Sequence, residues 1–120
     1  LLQLPAPTAY NSVTVKPVIP RKLAILDVDE AVDHYLGEAG EQITRDFIDT
    51  LEVAYKHIAR FPATGSPRYA HELDLPGLRC WQLKRFPYLV FFVEREDHID
   101  VWRVLHGGRD IPGWMTEPEG

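Results

Sequence analysis

Leu89, Val90, Phe91, Phe92 and Val93 form five consecutive apolar residues, bounded by Arg85-Phe86-Pro87 before and Arg95-Glu96-Asp97-His98 after. Successive side chains of a strand point to opposite faces, so a strand without polar alternation must be covered on both. This requirement constrains the fold more than any other feature. The flanking connections are short enough for antiparallel hairpins, which predicts three strands at residues 78–84, 88–94 and 99–105.

Upstream, the apolar spacing changes to three and four. Ala24, Val28, Ala31 and Tyr35, with Ile25, Val32 and Leu36 alongside, predict an amphipathic helix of about five turns that ends where Gly37 and Gly40 let the backbone turn. Its other face is acidic, with Asp27, Asp29, Glu30 and Asp33. A second stripe, Phe47, Leu51, Ala54, Ile58 and Phe61 beside Ile48 and Tyr55, runs to Pro62, which stops it. Two helices so closely joined form an antiparallel hairpin that can cover one face of the sheet, leaving the other to a partner, the tail or a second subunit. Residues 14–19 are β-prone, but Pro17 demotes them to an edge or bulged strand, and Pro20 suits a first helical turn. Residues 62–77 read as an ordered loop with room for a short helical turn. The expected architecture is α+β: an N-terminal strand, then a two-helix hairpin packed on a three- to four-stranded antiparallel sheet.

A chain of 120 residues fits one domain. Residues 14–112 are expected to form it. Residues 1–13 are expected to be a flexible extension or to precede the native start, and residues 113–120 to be a tail. The formal net charge is -5, with five cations against nine acids over residues 20–60 and seven against seven over residues 61–111. Binding nucleic acid by bulk charge is therefore disfavoured, because phosphate contacts need concentrated Lys and Arg. A single cysteine, Cys80, forbids an internal disulfide and fits a reducing cytosol. No apolar run is long enough to cross a bilayer, and no signal peptide is expected.

Arg79, Lys84, Arg85, Arg103, His106 and Arg109 are the cationic set of the strand region. They could grip phosphate or carboxylate, with His106 moving a proton near neutral pH. Equally, Glu94, Glu96, Asp100 and Asp110 could pair with them as ordinary surface charges. The five histidines and Cys80 carry no metal-ligand spacing, and no phosphate loop or nucleophile elbow is present, so neither metal nor cofactor is expected. Trp81, Trp102 and Trp114 could stack bases but suit a core equally well, Trp102 by alternating with Asp100 and Val104 on one face. Trp114, after the last strand, suits a docked tail or an interface anchor.

The series Ala31-Val32-Asp33-His34-Tyr35-Leu36, Phe61-Pro62, Leu75-Pro76-Gly77-Leu78-Arg79, Phe86-Pro87-Tyr88-Leu89-Val90-Phe91 and Val101-Trp102-Arg103-Val104-Leu105-His106-Gly107-Gly108-Arg109-Asp110 resembles the ParE branch of the RelE/ParE toxins over residues 14–112. The resemblance implies a cytoplasmic toxin of a type II toxin-antitoxin system, held inactive in a hetero-oligomer by an antitoxin whose C-terminal segment wraps it. It also implies one of two activities: ParE-like poisoning of DNA gyrase without covalent chemistry, or RelE-like cleavage of messenger RNA on the ribosome. His106 lies where cleaving relatives can carry an acid or base, with Arg103 as a companion. Gly107 stands where a Tyr is common in them, and Tyr88 about where a catalytic Arg would be. The incomplete set favours the non-catalytic gyrase poison, with no sequence-specific nucleic-acid binding. On that reading Arg79, Lys84, Arg85, Arg103, His106 and Arg109 are target contacts, and Tyr35, Tyr55, Phe91, Trp102 and Trp114 are antitoxin contacts.

Overall fold

A computed structural model describes residues 15–115. The extension expected at residues 1–13 lies outside them, as do residues 116–120. The elements run β1 (Val18–Pro20), α1 (Lys22–Glu38), α2 (Glu41–Arg60), a 3-10 turn (Pro62–Thr64), α3 (Arg68–Glu72), β2 (Leu78–Gln82), β3 (Tyr88–Glu94), β4 (Ile99–His106) and α4 (Ile111–Met115). The strand order is β1-β4-β3-β2. β2, β3 and β4 form an antiparallel meander, while β1 lies parallel to β4, with Val18 opposite Ile99 and Pro20 opposite Val101. The sheet is thus mixed rather than wholly antiparallel. The long α1–α2 excursion between β1 and the meander makes a parallel return feasible.

The local sequence explains the breaks. α1 continues through Gly37 to Glu38, and the corner is made at Gly40, whose φ of 90° is costly for any residue with a Cβ. Pro20 ends β1 instead of opening the helix, because Arg21 remains extended and its N–H donates to Val101 O at 2.8 Å. At Gly65 a Cβ would lie 2.6 Å from Phe92 Cζ, so glycine lets this loop approach the sheet.

Both faces of β3 are covered by the chain itself. On one face, α1 and α2 bury Phe47, Leu51 and Ile58 against Val90, Phe92, Val101 and Val104. On the other, Tyr69 from α3 and Ile111 and Met115 from α4 close a second core over Leu78, Cys80, Phe91, Val93 and Leu105. The sequence left this face to a partner, tail or second subunit. The short helices, hidden in what reads as loop and tail, supply the cover, and α4 crosses the expected domain boundary at residue 112.

A bulge decides which aromatics go where. Phe91 pairs with Arg103 but Phe92 with Val101, which leaves Trp102 as the extra residue. Alternation along β4 therefore slips: Val101 and Val104 join the first core, while Trp102 and Leu105 pack on the second. Trp102 and Val104 do not share a face, contrary to the simple period of two.

Asp100 fastens this region. Its carboxylate accepts hydrogen bonds from Arg21, Arg95 and the Trp102 indole N–H at 3.0–3.1 Å, and Arg21 also lies 4.4 Å over the Trp102 ring. Burial pushes its carboxyl up, but those donors outweigh burial and hold it below the ordinary value of 3.8. A carboxylate with a depressed folded-state pKa stabilises above its unfolded pKa, and that contribution fades as pH falls through the folded value. Unfolding midpoints should therefore drop on acidification below about pH 4, and Asp100→Asn should differ from the parent much less at pH 3 than at pH 7. Thermal melts of both proteins across that range check this, and a difference of constant size would refute it.

Candidate functional site

The structure sorts the cationic set into two groups. Arg79 and Arg103 are built into the fold. Arg79 Nη1 donates to the carbonyls of Gly65 at 2.8 Å and Ala63 at 3.3 Å, tying the loop after α2 to β2. Arg103, whose side chain is 6% exposed, forks onto Asp27 through two 2.8 Å bonds and donates from Nη1 to Trp114 O at 2.9 Å. The sequence offered Arg103 as an anchor for a target or the companion of a catalytic His106; in the folded chain its guanidinium is engaged by Asp27 and the Trp114 carbonyl.

Asp27 is the residue that sequence reasoning missed. It sits among the acids of α1, which read as a solvated stripe, yet its side chain is only 9% exposed. Beyond the Arg21 N–H bond to Val101 O the chain leaves β4, and Asp27 takes over by accepting the Val104 N–H at 2.9 Å. The opposite edge is covered similarly, as Ser66 and Cys80 exchange backbone bonds of 2.8 and 2.9 Å along β2.

Lys84, Arg85, His106 and Arg109 form the second group. Tyr88 pairs with His106, and Gly107 N–H donates to Pro87 O at 2.7 Å, so the β2–β3 turn and the end of β4 lie side by side. All four side chains thus stand at one end of the sheet. Arg85 makes a loose 3.6 Å pair with Asp46, and Lys84 has no ionic partner among the described residues. Arg109 lies 4.2 Å over the Trp114 ring and 3.4 Å from Glu30.

Between α1 and the end of β4 lies a cleft of about 400 Å³, lined by Asp27, Glu30, His34, Tyr88, His106 and Arg109. His106 Nδ1 accepts the Gly108 N–H at 2.9 Å, which leaves the neutral ring with its proton on Nε2. Its ring meets Tyr88 edge-on at 5.3 Å. Burial above all pushes the Tyr88 hydroxyl pKa up, as do nearby Tyr35 and Glu30, while Arg109 opposes them. Tyr88 therefore stays protonated at neutral pH and can donate a hydrogen bond. His34, three residues beyond Ala31 in the acidic stripe, was not singled out by spacing.

Residues 18–111 match the model of the ParE toxin of type II toxin-antitoxin systems, parDE. The chain belongs to the ParE toxin family. Its fold is also that of a solved structure titled "Chromosomal ParDE TA system from P. aeruginosa", with a TM-score of 0.65 at 20% identity over 77% of this chain and 96% of that one. No curated protein sequence matches significantly. A ParE-type toxin is one half of a toxin-antitoxin pair, and among its described residues no helix is long and apolar enough to cross a membrane.

Within this ParE fold the five aromatic antitoxin candidates have different surroundings. Phe91 is wholly buried in the second core and offers a partner no surface. Trp102 is half-buried and held by Asp100 and Arg21, and Trp114 is half-buried between Arg103 and Arg109. Tyr35 is half-buried in a ring cluster with Phe47, Phe86 and Tyr88. Tyr55 is half-buried too, and burial, with the charge of Asp27, pushes its hydroxyl up to about 12. Apolar side chains absent from that set are more open: Ile25, Leu26 and Leu36 on α1 and Val53 on α2 are 48–62% exposed. Leu26 and Val53 lay outside the expected stripes, while the helical spacing of Ile25 and Leu36 was legible. Which part of each stripe the sheet leaves uncovered was not.

Proposed function

We propose that this toxin arrests growth by binding and poisoning DNA gyrase, without covalent chemistry of its own, and that a cognate antitoxin neutralises it in a hetero-oligomer. The observation that carries the reading is the sorting of the cations. With Arg79 and Arg103 committed to the fold, Lys84, Arg85 and Arg109 remain at one end of the sheet, Arg85 and Arg109 with only long ion pairs to Asp46 and Glu30. Such an end suits an acidic protein surface, where charge complementarity sets orientation and on-rate. The exposed apolar residues of α1 give the antitoxin an amphipathic face to cover on folding.

One observation favours ribosome-dependent cleavage of messenger RNA as the second reading: Tyr88, His106, His34 and Arg109 share a cleft. Donors, a titratable imidazole and a cation in one place are the parts that acid-base chemistry on a phosphodiester uses. Purified toxin should inhibit gyrase supercoiling, and Lys84→Ala/Arg85→Ala/Arg109→Ala should weaken inhibition about tenfold or more while His106→Ala leaves it intact. Ribosome-dependent cleavage that disappears with His106→Ala, alongside unimpaired supercoiling, would establish the second reading instead. Co-expression with the product of the adjacent gene should restore growth.

A further inference from the structure

A second cleft, of about 320 Å³, opens between α2 and the β2–β3 turn, away from the cleft that holds His106. α2 contributes Asp49, Thr50, Val53, Ala54 and His57; β2 contributes Trp81; the turn contributes Lys84 and Arg85. Trp81 and His57 stack at 4.1 Å with their planes 24° apart, so each ring covers one face of the other and the uncovered ring face of the pair is what can serve the cleft as an aromatic wall. His57 is fixed there, because its Nε2–H points at Thr64 Oγ1, 2.8 Å away, whose own hydroxyl donates to Phe61 O at 2.7 Å. Ala54 is buried at the floor, and Val53, 62% exposed, borders it.

The polar groups around this apolar floor are uncommitted. Among the described residues Asp49, Lys84 and the Trp81 indole N–H have no hydrogen-bond or ionic partner, and Arg85 has a 3.6 Å contact with Asp46 and lies 5.5 Å from the centre of the Phe86 ring. The volume falls at the lower end of the small-molecule range, and a few polar groups around an apolar body are what such sites show. An aromatic wall takes the plane of a nucleobase, and the cations of the turn take a phosphate. A carboxylate on the facing helix accepts paired N–H donors. Guanine presents such a pair at N1 and N2 on one edge, whereas adenine has an acceptor at N1 and only a C–H at C2.

We propose that this cleft binds a guanine nucleotide, with the base on the uncovered face of the Trp81–His57 stack, its N–H edge on Asp49 and its phosphate on Lys84 and Arg85. The inference is independent of which target the toxin acts on, since it is read by binding and not by growth or supercoiling.

Titrating the purified toxin with GMP, AMP and inorganic phosphate, by calorimetry and by tryptophan fluorescence, tests it. GMP should bind saturably, and AMP about tenfold more weakly or worse, the scale of losing hydrogen bonds to a charged acceptor. Asp49→Asn should abolish the preference for GMP, and Lys84→Gln should weaken both nucleotides. Both side chains are exposed, so the fold should survive, as circular dichroism would verify. A short guanine-containing single strand that binds more tightly than GMP, with the same dependence on Asp49, would identify the source as nucleic acid rather than free nucleotide. Absence of saturable GMP binding, equal affinity for GMP, AMP and phosphate, or binding indifferent to Asp49→Asn would each overturn the assignment.

Discussion

Asp27→Asn is expected to destabilise the toxin by about 3–5 kcal/mol, the cost of leaving one charge of a buried pair without its partner. The pair is well shielded, with side chains 6% and 9% exposed, and the Asp27 carboxylate also serves the Val104 N–H. Asparagine keeps the shape and one acceptor oxygen but removes the charge opposite Arg103. Urea unfolding should show a lower midpoint with little change in slope. The double variant Asp27→Leu/Arg103→Met should recover only part of the loss, because it removes the unpaired charge but also takes the Asp27 acceptor from the Val104 N–H and the Arg103 donor from the Trp114 carbonyl. A single-variant loss under about 1 kcal/mol, the scale of a surface pair, would mean that solvent reaches the site freely.

Phe91→Ala is expected to cost about 3–5 kcal/mol. Phe91 is fully buried, its ring 5.4 Å from that of Tyr69 on α3, in the core that the short helices close. A domain of this size loses about 4–8 °C in melting temperature for each kcal/mol, so calorimetry would show the effect plainly. The variant also separates two accounts of this face. If α3 and α4 cover it in the free toxin, the loss appears without any partner. A free toxin insensitive to Phe91→Ala, whose complex with its antitoxin is weakened, would mean that the partner supplies the cover.

The strands and the hairpin were legible because their periods differ and their punctuation is strong. The apolar run ending at Val93 and the stripes of α1 and α2 fall where spacing placed them, and Pro62 stops α2 as expected. What sequence could not give was relation. Asp27 carries the same charge as Asp29 and Asp33 nearby, and only the place where β1 stops pairing turns it into a buried cap. Arg103 likewise resembles Arg109 in sequence, yet one is locked inside and the other stands at the rim of a cleft. The parallel pairing of β1 left no local mark, since period-two patterning is silent about strand direction. α3 and α4 span five residues each, too short for a helical stripe to register, so the cover of the second face was invisible. The bulge at Trp102 changed the face assignment of β4 with no glycine to announce it.

The covered margins of the sheet determine how this protein meets other molecules. β1 is three residues long and ends in a proline, Asp27 occupies the backbone of β4 beyond it, and Ser66 occupies that of β2. A passing chain therefore finds few vacant ladder positions on which to grow an extra strand. Recognition is left to side chains on the helices and at the basic end. Edges covered in this way disfavour pairing between copies of the chain through their sheets.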